Sequence, residues 1–433
     1  MTSPTLRPRD AVFLGALVFL LSLAAFAIDL GAPDHVYFDE TWYVPAARAW
    51  LASGENLHPE HPPLAKMLIG VGLALFGDQP FGWRAMSALF GAITMLGVYL
   101  WALALFEDLA AALWTAALTG FNQILYVQSR IAMLDVFMFA FVTLGLAAFT
   151  YAVKTPHASR ARAGLVAMGA SFGLGAACKF SGLFTLLGLV ALYGLFYGAK
   201  RHRLREPQAP DFAAPLAFGP FAAALSFVVV PALAYGAAYL PLAIGQGSWS
   251  LVFTAQRDMF SIMLGHSATH PYASLWYSWP AQWRPVWYLF DVEGGETAKW
   301  SDDNPAAAIV ALANPLIVYA GQLAVLGAAW RGLARLQLEA VIVAVAFFAQ
   351  WAPWIANPKG LEFNYYYFPS ILCLGPALAL ALFRPRRREG DIVASLFLVA
   401  AALLFVFFLP ILAADFEVSP TDLDLRTWLP SWR

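Results

Sequence analysis

Charged side chains are scarce in this chain, so the places where they gather carry information. The stretch Tyr37-Phe38-Asp39-Glu40-Thr41 sets two carboxyls side by side shortly after a long apolar run. A carboxylate there can take a proton from a hydroxyl, and partial loss of water would raise its pKa toward the range a general base needs. Adjacent side chains diverge by about 100° on a helix and about 180° on a strand, so the two acids cannot share one task. Asp39 is expected to be the base. Glu40 is expected to bind substrate or to orient a neighbour, which still counts it in the catalytic pair.

Cations come next. Arginine offers a planar fork to phosphate oxygens and lysine a compact charge, so Arg130 and Lys179 are the first candidates for holding a phosphate. Arg84, Arg284 and Lys66 are candidates of the same kind. Asp135 stands five positions past Arg130, about 140° around a helix, where it would balance a cationic cluster but is not aligned for a direct pair. His61 and His270 are candidates for substrate contact, each against an ordinary structural role. His58-x-x-His61 with Glu60 is a thin metal signal, interrupted by prolines and lacking further ligands. No cofactor is required by this set, and a divalent metal is only weakly supported.

The elements that must hold these groups are apolar. Hydrophobic residues make up 61% of the 433 and charged residues 12%, against about 25% charged in an ordinary soluble domain. Lipid must therefore be the solvent for much of the surface. Net charge of −1 argues against nucleic acid as a partner. Cys178 and Cys373 fall in apolar runs and read as buried thiols.

Runs long enough to cross a bilayer sit near residues 11–30, 84–106, 109–127, 132–152, 163–178, 180–199, 213–243, 306–330, 337–355, 365–383 and 391–413. The reading is an all-α integral membrane protein, one polytopic domain over 1–433, with about eleven spans. The run Leu64–Phe76 covers only about 20 Å as a helix, too short for a core of about 30 Å, and is expected to lie at the interface. The first span is expected to stay as an uncleaved anchor.

With the N-terminus in the cytoplasm, Arg7, Lys154, Arg160, Arg162, Lys200, Arg331, Arg335, Arg384, Arg386 and Arg387 all fall inside, while most acids fall outside. The outer face then holds two sizeable loops, 31–83 and 244–305. It also collects the unusual polar residues, among them His266, Lys359 and Glu362. A transporter would instead place ionisable groups near the bilayer midplane. Chemistry at one water–lipid interface suits an enzyme joining a lipid-anchored substrate to a water-borne one.

Longer motifs surround these residues: His61-Pro62-Pro63-Leu64-Ala65-Lys66, Gly82-Trp83-Arg84, Ser129-Arg130-Ile131-Ala132-Met133-Leu134-Asp135 and Cys178-Lys179-Phe180-Ser181-Gly182. Further on stand His270-Pro271-Tyr272, Arg284-Pro285-Val286-Trp287-Tyr288, Gln350-Trp351-Ala352-Pro353-Trp354 and Tyr365-Tyr366-Tyr367. In this order and spacing the chain resembles the bacterial form of the protein O-mannosyltransferase family, over residues 36 to 383. Ala65 departs from the glycine usual in that family.

The resemblance implies a GT-C fold and a polyprenyl-phosphate-mannose donor. It also implies Ser/Thr hydroxyls of exported proteins as acceptors and an inverting single displacement at the periplasmic face of the inner membrane. The outer loop 244–305 is too short for the β-trefoil domain of eukaryotic members. A GT-C transferase acting on a glycolipid or lipid A is the alternative. A lipid-linked-sugar flippase is the alternative of another class.

Overall fold

A computed structural model describes residues 8–205, 216–265, 270–294, 299–357, 361–383 and 388–433. Arg7, His266, Lys359, Arg384, Arg386 and Arg387 lie outside them. Long apolar helices dominate: α1 (Pro8–Ala27), then α2 (Glu40–Ser53), α3 (Leu64–Phe76), α4 (Pro80–Phe106), α5 (Leu109–Gly120), α6 (Gln123–Gln128), α7 (Asp135–Lys154), α8 (Ala158–Cys178) and α9 (Leu183–Arg205). Among the described residues nine helices are long and apolar enough to cross a membrane, and the helix pair Asn364–Ile371 and Leu374–Leu382, bent by 44°, makes ten if it is one span. Leu20, Leu21, Phe221, Leu323, Leu333 and Leu403 are exposed on the outside of the bundle, as lipid-facing side chains should be.

The expected span at 109–127 is split. Asp108 caps α5 by accepting from the Ala111 amide at 2.8 Å. The helix then breaks at Phe121-Asn122, where the Asn314 side chain donates to the carbonyls of Phe121 and Ala401. This piece still joins opposite ends of the bundle. Lys154, beside Glu107 at 3.0 Å, marks one end, and Arg130, bonded to the carbonyls after α1, marks the other. Leu64–Phe76 is the short helix that its length required.

The run 306–330 differs more. Its helix begins only at Pro315, with Asn314 as the cap. The preceding residues form β2 (Ala306–Ala311), antiparallel to β1 (Val286–Val292) and to a short β3 (Glu417–Val418). The helical architecture therefore carries one small sheet that an all-α reading does not include. Alanine-rich β2 looks like the start of a span in sequence. Its pairing partners are distant in the chain, so local pattern does not reveal them. The C-terminal segment wraps this sheet. Trp432 donates its indole N–H to the Gln282 carbonyl at 2.7 Å, and Trp287 donates to the Trp432 carbonyl at 2.8 Å.

Helices α4 and α7 pack closely because Gly97 leaves room for Thr143. A Cβ at Gly97 would lie 2.2 Å from the Thr143 Oγ1. Gly97→Leu is expected to cost about 3 kcal/mol through overpacking. It should lower the unfolding temperature in detergent by several degrees, checked by thermal melting of the purified protein.

Candidate active site

The two acids part as their adjacency requires. Phe38 takes a positive φ of 47° and turns the chain into α2, which starts at Glu40 with Asp39 at its N-cap. Glu40 points inward and is fully buried. Its carboxylate accepts from Arg84 Nε at 2.8 Å and Nη2 at 2.9 Å, from the Ala132 amide at 2.9 Å and from the Tyr37 amide at 3.4 Å. Arg84 also donates to the carbonyls of Leu30, Pro33 and His35. Every guanidinium N–H is thereby used. Arg84 clamps the first loop with all its donors, and the Glu40 carboxylate is taken up by that guanidinium and two backbone amides.

Asp39 faces the other way. It keeps some exposure, yet protein surrounds it, and burial pushes its carboxyl up to about 7; Lys179 opposes that shift and Asp135 adds to it. Lys179 pairs with Asp135 at 2.8 Å and lies against the rings of Tyr365 and Tyr366. Asp135 thus balances a cation, Lys179, and not Arg130.

Phe38 stacks on Tyr288 with centroids 4.2 Å apart. The β1–β2 register shifts between Trp287 and Leu289, and this bulge carries Tyr288. The Tyr288 hydroxyl accepts from Gln128 at 2.8 Å. The small sheet therefore reaches the turn that aims Asp39. In the sequence Tyr288 stands out only as part of Arg284-Pro285-Val286-Trp287-Tyr288, because a bulge leaves no mark in composition.

Two other expected phosphate ligands are already committed. Arg130 donates to the carbonyls of Phe26, Ile28 and Asp29 and to Asp415 at 3.3 Å. It fastens the end of α1 to the C-terminal segment. Asp415 was missed because it lies 285 residues away. Lys66 Nζ donates to Asn56 Oδ1 and to the carbonyls of Leu57, His58 and His61, which shapes the 56–61 loop. Arg284 is exposed beside Trp283 and Ser274, in a separate hollow. His270 is exposed and packs edge-on against Phe363. His58 pairs with Glu60 at 3.3 Å, and among the described residues no three potential metal ligands converge.

A crevice of about 290 Å³ opens beside Lys179, and His61, Ser181, Trp354 and Tyr366 share its lining. Lys179 and Tyr366 are also within electrostatic reach of Asp39. Two larger hollows, about 600 and 690 Å³, lie around Lys154 at the opposite end of the bundle. The site therefore combines a carboxyl poised near neutrality, a paired lysine and an aromatic crevice at one end of a membrane bundle.

This bundle has the GT-C fold. It superposes on the Saccharomyces cerevisiae protein O-mannosyltransferase Pmt1-Pmt2 complex bound to the sugar donor, with a TM-score of 0.80 at 15% identity, covering 100% of this chain and 93% of that one. It also superposes on ArnT from Cupriavidus metallidurans bound to undecaprenyl phosphate, with a TM-score of 0.58 at 16% identity, covering 93% of this chain and 71% of that one.

Sequence narrows the class. The dolichyl-phosphate-mannose-protein mannosyltransferase family matches residues 16–83 and 76–242, and the C-terminal four-span region of protein O-mannosyltransferases matches 248–432. The chain belongs to this family. The polyprenol-phosphate-mannose–protein mannosyltransferase of Mycobacterium tuberculosis is 26% identical, over 99% of this chain and 93% of its own length.

Removing one partner of the Glu40–Arg84 pair leaves a buried charge unpaired. Glu40→Ala is expected to destabilise the protein by about 3–5 kcal/mol. Glu40→Leu combined with Arg84→Met should recover much of that loss in folding. Thermal melting of the three variants in detergent reads the difference.

Proposed function

We propose that this protein transfers mannose from a polyprenyl-phosphate-mannose donor to Ser/Thr hydroxyls of exported proteins. The observation that carries the reading is Asp39, held in a half-buried turn with its carboxyl pushed up to about 7, beside the Lys179–Asp135 pair. Family membership and the donor named for the Mycobacterium tuberculosis relative support the substrate class.

In this proposal the acceptor hydroxyl hydrogen-bonds to the Asp39 carboxylate. It attacks the anomeric carbon of mannose on the face opposite the phosphate. The carbon–oxygen bond to phosphate breaks as the new glycosidic bond forms, and the configuration inverts. The proton goes to Asp39, and the transition state has oxocarbenium character. Lys179 receives the charge that builds on the departing polyprenyl phosphate. Asp135 holds the lysine, and its own charge helps keep Asp39 basic. Side chains fill every role, and no cofactor is required.

The proposed setting is the bacterial inner membrane, with the N-terminus cytoplasmic and the Asp39 end periplasmic. The basic residues at the Lys154 end support that orientation.

The test is transfer of labelled mannose from polyprenyl-phosphate-mannose to a Ser/Thr-rich peptide by the purified protein. Wild type should label the peptide, and Asp39→Asn should lose at least about 100-fold in rate. Donor consumption without peptide labelling would point to a glycolipid acceptor. Only ionised Asp39 accepts a proton. The wild-type rate should therefore fall about tenfold per pH unit below about 7 and level off above it.

A further inference from the structure

Tryptophan indole N–H groups in this protein find acceptors wherever they are buried, with one exception. Nine of them donate to the protein: Trp83 to Asp78, Trp101 to Thr150, and those of Trp114, Trp279, Trp287, Trp300, Trp351, Trp428 and Trp432 to backbone carbonyls. Among the described residues, the Trp354 Nε1 is the buried indole nitrogen that has no partner. Leaving a buried donor unmade costs about 1–3 kcal/mol, so its retention here asks for a reason.

Its position supplies one. Trp354 lines the crevice beside Lys179. Its ring stacks on Tyr366 with centroids 4.6 Å apart and is held edge-on by Phe184 and Trp279. Tyr366 in turn lies 4.9 Å from the Lys179 Nζ. Three packed rings fix the indole, and its N–H, closed off from solvent in this conformation, is left over. The other polar residues of the crevice are Lys179, His61, Ser181, Asn357 and Tyr366, a cation among hydrogen-bonding groups that suits an anion.

We propose that Trp354 is a donor-phosphate ligand, its indole N–H bonding a phosphate oxygen of the polyprenyl phosphate in the Lys179 crevice. This rests on the proposed donor class and extends it to a neutral hydrogen-bond donor beside the lysine. A neutral N–H binds phosphate before and after transfer alike. It therefore holds substrate and the polyprenyl phosphate product equally, and does not itself respond to the charge that builds during the reaction.

The test compares wild type with Trp354→Phe, which keeps a stacking ring and removes the N–H. Binding of three probes is measured: polyprenyl-phosphate-mannose, polyprenyl phosphate and unphosphorylated polyprenol. The expected result is about a tenfold or greater loss for both phosphate-bearing lipids by the same factor, with polyprenol unchanged. Loss for the mannosyl lipid alone would assign the N–H to the sugar and overturn the proposal. Equal loss for all three would make Trp354 a packing residue and overturn it too.

An independent reading needs no variant. With indole-labelled wild type, one indole proton resonance should move downfield on adding polyprenyl phosphate and stay in place on adding polyprenol. No movement with either lipid contradicts the proposal. If wild type binds polyprenyl phosphate in this way but transfers no mannose, the proposed function fails and the phosphate ligand stands.

Discussion

The buried ion pair between Glu40 and Arg84 is the constraint on which the site depends. Neither side chain has any exposure. Two charges removed from water are tolerable only if nearly all their hydrogen-bonding capacity is met. Here it is, by five guanidinium bonds and a carboxylate that also accepts two backbone amides. Those bonds tie the loop after α1, the start of α2, the start of α4 and the turn before α7. Because Glu40 is drawn into the Arg84 pair, its neighbour Asp39 leaves the backbone about 100° away around the helix. Adjacency of the two acids is thus a device, in which one is spent as an anchor so that the other is aimed.

A similar division applies to the cations. Arg84, Arg130 and Lys66 are saturated by backbone carbonyls and carboxylates. They hold irregular backbone at one end of the bundle, where unpaired carbonyls would be costly. Lys179 differs, because its partner is a single carboxylate and aromatic faces and it still borders a crevice. Within the bundle the charged groups sit at its two ends. The Lys154 end ties Leu105, Glu107 and Glu339 together, while the other end carries Asp39, whose carboxyl burial pushes up to about 7.

Much of this was legible in the sequence. Long helices follow from apolar runs, the short helix Leu64–Phe76 from its length, and Asp39 and Lys179 stand out as candidates because rare charges are placed beside such runs. What was not legible depends on contacts distant in sequence. Charge type alone made Arg84 and Arg130 look like phosphate ligands, since nothing local records how many carbonyls fold around a guanidinium. The sheet was read as helix because Ala306–Ala311 is apolar and its partners are β1 and residues 417–418. Tyr288 and Trp354 were visible only as members of longer motifs. Their roles come from a bulge and from a missing acceptor, both properties of the folded chain.

Burial in this fold holds the Asp39 carboxyl near neutrality. Infrared difference spectroscopy of the purified protein, wild type minus Asp39→Asn, isolates the carboxyl band of that residue across a pH series. The account predicts one carboxyl converting from acid to carboxylate around pH 7. A midpoint near 4, the ordinary value for an exposed aspartate, would contradict it.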